Sequence, residues 1–192
     1  MLSVNFSPFP VLETGRLILR NITHADAPAL FEMRSNPELL KYLDRPPFLS
    51  VEEAMQFIDK SQKMVTQNEG ILWVIALKET PERLIGTVGF WRIQKEHYRA
   101  ETGYILDPLF WKKGIMKEAL MATIQYAFTQ TALHSIEANI DPANRASAKL
   151  LESCGFVQEA YFKENYYFNG IFKDSIIYSL VKRYPQEGID NP

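Results

Sequence analysis

Glu101-Thr-Gly-Tyr-Ile-Leu-Asp-Pro-Leu-Phe-Trp-Lys-Lys-Gly-Ile-Met-Lys-Glu-Ala-Leu120 is the stretch on which the fold turns. It reads as a strand, a Pro-marked turn, a basic glycine loop and the opening of an amphipathic helix. The first amides of such a helix lack intrahelical partners and point at one spot, so an anion belongs there. With Lys112, Lys113 and Lys117 around the helix start and a dipole worth about +0.5 charge at its N-terminus, a pyrophosphate is the expected guest.

Downstream, Ile115, Ala119, Leu120, Ile124 and Phe128 repeat at helical spacing, and Ser135 to Ile140 reads as a strand. A strand-helix-strand unit favours parallel pairing across it. A short helix is expected from about Asn144 to Cys154, ended by Gly155 in the left-handed conformation. Val157 to Phe168 and Ile171 to Arg183 are β-rich runs joined by Asn169-Gly170, a strong hairpin signal. Upstream, Arg16 to Ile22 reads as a strand, and Thr23 caps a helix through Leu30 and Phe31 with Asp26 in its first turn. Ser50 and Glu53 form a capping-box pattern for a second helix carrying Ala54, Phe57, Ile58 and Met64. Ile71 to Leu77 and Leu84 to Trp91 suggest an antiparallel pair, with Thr102 to Leu106 the next strand. The organisation is one α/β (α+β) domain over 1–184 and a loose tail from Pro185.

The 192 residues fit a single domain, and 46% apolar with 23% charged residues is ordinary globular composition. The net charge of -2 argues against a general nucleic-acid or anionic-membrane binder. No apolar run is long enough to span a bilayer, and the first ten residues lack a signal core, so the expected location is cytoplasmic. Cys154 stands alone, and His24, His97 and His134 are dispersed, so no metal site is expected. Walker and dinucleotide glycine motifs are both missing.

Thr14-Gly-Arg-Leu-Ile-Leu-Arg20, Ile85-Gly-Thr-Val-Gly89, Glu101-Thr-Gly-Tyr104, Trp111-Lys-Lys-Gly-Ile-Met-Lys-Glu-Ala119, Asn144-Arg-Ala-Ser147 and Gly155-Phe156 together resemble the GNAT acyl-CoA-dependent N-acetyltransferases. The closest resemblance is to the Rim-type branch, which is similar to ribosomal-protein N-terminal acetyltransferases. It implies a mixed, mostly antiparallel sheet of about six to seven strands flanked by about four helices, with a C-terminal β-hairpin. It also implies acetyl-CoA as co-substrate and an amine acceptor, with the chain a monomer or homodimer. The family's loop pattern is Gln/Arg-x-x-Gly-x-Gly/Ala; here those positions hold Trp111, Gly114 and Met116. Because main-chain amides are the phosphate ligands, the first departure is tolerable, whereas Met116 is bulkier than Gly or Ala and can narrow the groove.

The cofactor set expected from loop and resemblance is Tyr104, Ile105, Leu106, Trp111, Lys112, Lys113, Gly114, Ile115, Met116, Lys117, Asn144 and Ser147. A thioester is attacked only by a neutral amine, so a base is needed, and Glu101 stands in the position of the Rim-type glutamate before Gly-Tyr. The alternative is that it caps the strand or pairs with Arg99 or Arg92 at the surface. Many GNAT proteins place a proton-donating tyrosine after the Asn-x-x-Ser/Ala motif, but the aligned residue here is Leu151. The resemblance transfers the role of meeting the thiol sulfur to Ser147, and contact with the pantetheine arm or amine to Asn144; helix capping is the alternative for both. Backbone N–H groups around Tyr104, Ile105 and Leu106 would polarise the acetyl carbonyl if their strand diverges from the Ser135 to Ile140 strand. Cys154 reads as buried filler, His97 as loop, and Trp73 and Trp91 as core. The favoured acceptor class is a protein N-terminal α-amine; the alternatives are a small amine such as an aminoglycoside, polyamine or amino-acid analogue, and a non-catalytic acyl-CoA-binding module.

Overall fold

In the computed structural model, which describes residues 1–183, the most apolar run of the chain becomes the middle of a sheet. Strand β3 (Ile71–Leu77) is buried on both faces. Ile71, Trp73 and Ile75 enter one core, while Leu72, Val74 and Ala76 enter another on the opposite face. A strand covered on both sides needs no polar alternation, which is why this run reads as continuously hydrophobic.

Around β3 lie β1 (Leu12–Glu13), β2 (Leu17–Asn21), β4 (Gly86–Gln94), β5 (Arg99–Leu106), β6 (Ser135–Ile140), β7 (Val157–Phe168) and β8 (Ile171–Val181). They form one eight-stranded sheet in the order β1-β2-β3-β4-β5-β6-β8-β7. Every pairing is antiparallel except β5 with β6. Helices α1 (Ala27–Ser35), α2 (Pro37–Leu40) and α3 (Val51–Thr66) supply Leu30, Leu39 and Ile58 to one core. Helices α4 (Ile115–Gln130) and α5 (Arg145–Ser153) supply Leu120, Ile124 and Leu151 to the other.

The parallel pairing of β5 and β6 is short. It covers Arg99↔Ser135, Ala100↔Ile136 and Glu101↔Glu137, then stops. Strand β6 continues against β8 as far as Ile140↔Ile176, while the rest of β5 stays paired with β4 alone. The two strands therefore diverge beyond Glu101 and leave a slot between them.

The structure has eight strands and five α-helices where six to seven and four were expected. The additions are the two-residue β1 and the single-turn α2, whose Asn36 Oδ1 accepts from Glu38 N. Neither is long enough to display a period. Strand β5 starts three residues earlier than Thr102 because the partly buried Arg99 and Glu101 alternate with fully buried Ala100 and Thr102. At α3 the capping box is displaced: Ser50 makes no side-chain cap, and the Glu53 carboxylate accepts from Leu49 N–H. The turn Asn169-Gly170 has φ of 48° and 85°, as a two-residue hairpin requires. The tail expected from Pro185 lies outside the described residues, and no described helix is long and apolar enough to cross a membrane.

Strands β3 and β4 approach so closely that a Cβ on Gly89 would stand 2.3 Å from the Ile71 carbonyl oxygen and 3.1 Å from Leu72 Cα. Both obstacles are backbone. Gly89→Ala is expected to lower stability by about 1–3 kcal/mol, read from the midpoint of a urea melt.

Candidate active site

The glycine loop is built by its own turn chemistry. Asp107 Oδ1 accepts from Leu109 N, starting a short 3-10 turn at Pro108–Phe110. The Trp111 indole N–H then donates to the Leu106 carbonyl at 2.7 Å, tying the loop to the end of β5. Lys112 and Gly114 have φ of 59° and 73°, which reverses the chain into α4. Gly114 provides no side-chain cap, and the amides of Ile115, Met116 and Lys117 donate to no acceptor among the described residues. The side chains of Ile115 and Met116 are buried in the core, so Met116 does not fill the space in front of the loop. Lys112, Lys113 and Lys117 are exposed around it. Free amides, the helix dipole and three ammonium groups make this helix start electropositive.

A clasp from the N-terminal strand holds this loop. Glu118, in the first turn of α4, accepts from the Thr14 hydroxyl at 2.6 Å, from Arg16 N at 2.9 Å and from Arg16 Nε at 2.7 Å. Arg16 Nη1 also donates to the Lys113 carbonyl at 3.0 Å. Burial would raise the Glu118 pKa, but the Thr14 and Arg16 hydrogen bonds and the Arg16 charge outweigh it and hold the carboxyl below its ordinary value. Sequence reading quoted Thr14-Gly-Arg-Leu as a pattern without a role; these residues lie about a hundred positions from the loop they brace.

At the slot, β5 sends its side chains to both faces. Ala100, Tyr104 and Leu106 belong to the core beneath α4 and α5, whereas Ile105 belongs to the core beneath α1 to α3. By the same alternation Glu101 shares the Ile105 face. Asp107 N donates to the Ile85 carbonyl at 2.9 Å, so the period of two directs the Ile105 amide toward β4 and those of Tyr104 and Leu106 into the slot.

Glu101 is only 14% exposed and accepts from Arg92 Nη1 at 2.8 Å. Arg92 has φ of 49° beside the irregularity of β4 between Trp91 and Gln94, and the bulge turns it to this task. Arg99 pairs with Glu137, and the two ion pairs line a pocket of about 100 Å³. On the other face the Tyr104 hydroxyl lies 2.7 Å from Ser147 Oγ, and burial pushes the Tyr104 pKa well up. Asn144 Oδ1 accepts from Ser147 N at 3.1 Å, so Asn144 does cap α5. Leu151, where a tyrosine was sought, is fully buried.

Known proteins share this fold. A family model described as an acetyltransferase (GNAT) domain matches residues 16–157. The chain belongs to the GNAT acetyltransferase family. It is 38% identical over 174 residues to the N-acetyltransferase YoaA of Bacillus subtilis (strain 168), covering 91% of this chain and 98% of that one. The ribosomal-protein-S5-alanine acetyltransferase of Vibrio fischeri superposes with a TM-score of 0.78 at 28% identity, over 90% of this chain and 96% of that one. The spermidine N-acetyltransferase of Vibrio cholerae, solved with CoA and spermine, gives 0.76 at 25% identity, over 88% and 96% of the two chains. This GNAT chain is thus an N-acetyltransferase, and the Rim-type resemblance holds.

A polar cluster ties the loop between α2 and α3 to the terminal hairpin. Asp44, in the loop between α2 and α3, accepts from the Tyr166 hydroxyl and from Lys173 Nζ, both on the terminal hairpin. Lys173 also reaches Asp141, just past β6, at 3.1 Å. The loop from Leu43 to Leu49 and the terminal hairpin are therefore brought together, through residues that carry no motif. Tyr104 was expected to act through its amide, and the hydroxyl contact to Ser147 was missed. Cys154 is buried, its thiol pKa raised by that burial, and His97 is exposed. Trp73 is core, while Trp91 lies over Gly103, where a Cβ would meet its ring at 2.1 Å.

The clasp gives a binding prediction. Glu118→Gln removes the charge that orients Arg16, and its expected effect is a Kd for CoA about threefold to tenfold higher in calorimetric titration. The Glu118 pKa is lower folded than unfolded, so its contribution to stability is full above the ordinary carboxylate value of about 4.3 and is lost as pH falls through the folded value. The stability gap between wild type and Glu118→Gln is accordingly expected to close below about pH 4.

Proposed function

We propose that this GNAT enzyme transfers the acetyl group of acetyl-CoA directly, in a ternary complex, to a primary amine, with a protein N-terminal α-amine as the favoured acceptor. The carrying observation is the slot itself: a carboxylate stands on one face, a hydroxyl pair on the other, and the free amides of α4 lie beyond the loop that follows β5. A diphosphate on Ile115, Met116 and Lys117 would direct the pantetheine arm back along β5, and the Tyr104 and Leu106 amides would pair with its amides and the thioester carbonyl. Each well-placed donor to a developing oxyanion contributes about 3–4 kcal/mol.

The amine arrives largely protonated, since α-amines have a pKa of about 8 and lysine about 10.4. Glu101, oriented by Arg92, takes the proton from the acceptor face. The neutral nitrogen attacks the carbonyl carbon, and the tetrahedral intermediate collapses by breaking the C–S bond. As the amide forms, the attacking nitrogen sheds its second proton, and the Ser147 hydroxyl relays it to the departing sulfur, so that the serine ends neutral and CoA leaves as the thiol. Tyr104 holds the Ser147 hydroxyl in place and, with a pKa raised by burial, remains protonated throughout. Support for a peptide acceptor comes from the likeness to the ribosomal-protein acetyltransferase. The second reading, a polyamine, rests on the likeness to the spermidine enzyme.

A free-thiol assay with acetyl-CoA over short peptides and polyamines tests the acceptor: peptides are expected to exceed spermidine in kcat/KM by at least about tenfold, a gap of roughly 1.4 kcal/mol, and the reverse order would transfer the assignment to polyamines. Glu101→Gln is expected to lower kcat by about 10²-fold while the Kd for acetyl-CoA moves less than about twofold; an unchanged kcat removes Glu101 from the mechanism. Ser147→Ala and Tyr104→Phe are expected to lower kcat by about threefold to tenfold, because a thiolate leaves without much assistance.

A further inference from the structure

The charges on the acceptor face are almost all spent on one another. Glu101 is paired with Arg92, Glu137 with Arg99, and Asp44 and Asp141 with Lys173. In the segment that roofs this face, Glu53 is engaged with Leu49 N–H. Arg34 and Arg45 stand outside these pairs. Arg34, near the end of α1, and Arg45, next to Asp44, have no carboxylate partner among the described residues.

Arg34 is the more telling of the two. Its Nε is buried without a hydrogen-bond partner, and its guanidinium lies over the Phe57 ring, 5.0 Å from the centroid. Phe48 N bonds to the Arg34 carbonyl at 3.1 Å, so the 43–49 loop is folded directly onto this residue. Burial, and secondarily the charge of Arg45, lowers the Arg34 pKa to about 10, which leaves it a cation at neutral pH. A half-buried guanidinium whose Nε has neither a hydrogen-bond partner nor an anion is costly, and the charge of Arg45 nearby adds to that cost. An arriving anion relieves both.

The position suits a substrate group. Phe48 and Phe57 pack against the core that contains Ile105, on the face of β5 that also carries Glu101. Asp44, adjacent to Arg45, is fastened through Lys173 to Asp141 at the end of β6, on the open side of the slot. We propose that Arg34 and Arg45 form an anchoring site for a carboxylate carried by the acceptor amine. Arg34 supplies a planar fork stiffened by Phe57, and Arg45 supplies an exposed second contact. This deepens the amine-acceptor reading and rests on it: the acceptor carries a negative group near the reacting nitrogen, the opposite of a polyamine.

Binding in the presence of CoA, which cannot donate an acetyl group, tests the site without turnover. Two matched pairs serve as probes in calorimetric titration: Ala-Asp-amide against Ala-Asn-amide, and Ala-Ala against Ala-Ala-amide. The first pair reports a side-chain carboxylate of a peptide, the second the free carboxylate of a small molecule. In at least one pair the acid is expected to bind about tenfold or more tightly than its neutral twin, the effect of a charge-assisted contact. Arg45→Gln, an exposed substitution, is expected to shrink that ratio below about threefold, and Arg34→Gln to do so where it folds. Equal binding within both pairs overturns the proposal, as does a ratio that survives Arg45→Gln undiminished. Thiol release on amines without any preference for acids would sink the anchoring site and leave the transferase reading standing. Preference for acids with no release on any amine would do the reverse.

Discussion

The early end of the β5–β6 pairing is the constraint on which the rest depends. Parallel strands are ordinarily bonded along their length, and here the ladder closes after Glu101↔Glu137. Continued pairing would consume the Tyr104 and Leu106 amides in the sheet and leave no passage between the two faces. Because β6 turns to β8 and β5 keeps only β4, those amides face an opening, and the helix that follows β5 presents its own free amides close by. A thioester carrier can then be held entirely by main chain, at positions that tolerate side-chain change.

That reliance on the main chain accounts for the departures in the loop. Trp111 replaces a Gln or Arg of the family pattern, yet its indole N–H goes to the Leu106 carbonyl and shapes the turn from inside. Met116 replaces Gly or Ala, yet its side chain joins the core and only its amide faces outward. The missing tyrosine is answered in a different place. Leu151 is core, and the phenol that meets Ser147 comes from β5 instead. Glu101 and the Tyr104–Ser147 pair thereby lie on opposite faces of one strand.

Elements with a strong period were legible from the residues. The buried run at Ile71, the Asn169-Gly170 hairpin, the Gly155 stop and the strand-helix-strand unit around α4 all took the expected form. What was not legible depends on long-range register. No local pattern announces that β5 and β6 separate after three pairs. The Arg16–Glu118 clasp joins residues 102 positions apart, and Tyr166 meets Asp44 across 122. Arg34 sits in a helix as one more cation, and its lack of an ion-pair partner becomes visible only in three dimensions. Of the two readings of Glu101, the pairing with Arg92 is the one visible in the structure.

The most direct measurement is an amide-resolved NMR titration of the enzyme with CoA. The largest perturbations are expected at Ile115, Met116 and Lys117, followed by Tyr104 and Leu106, with the Ile105 amide, bonded to β4, much less affected. Saturable CoA binding that leaves these amides unmoved and perturbs another surface would contradict the account.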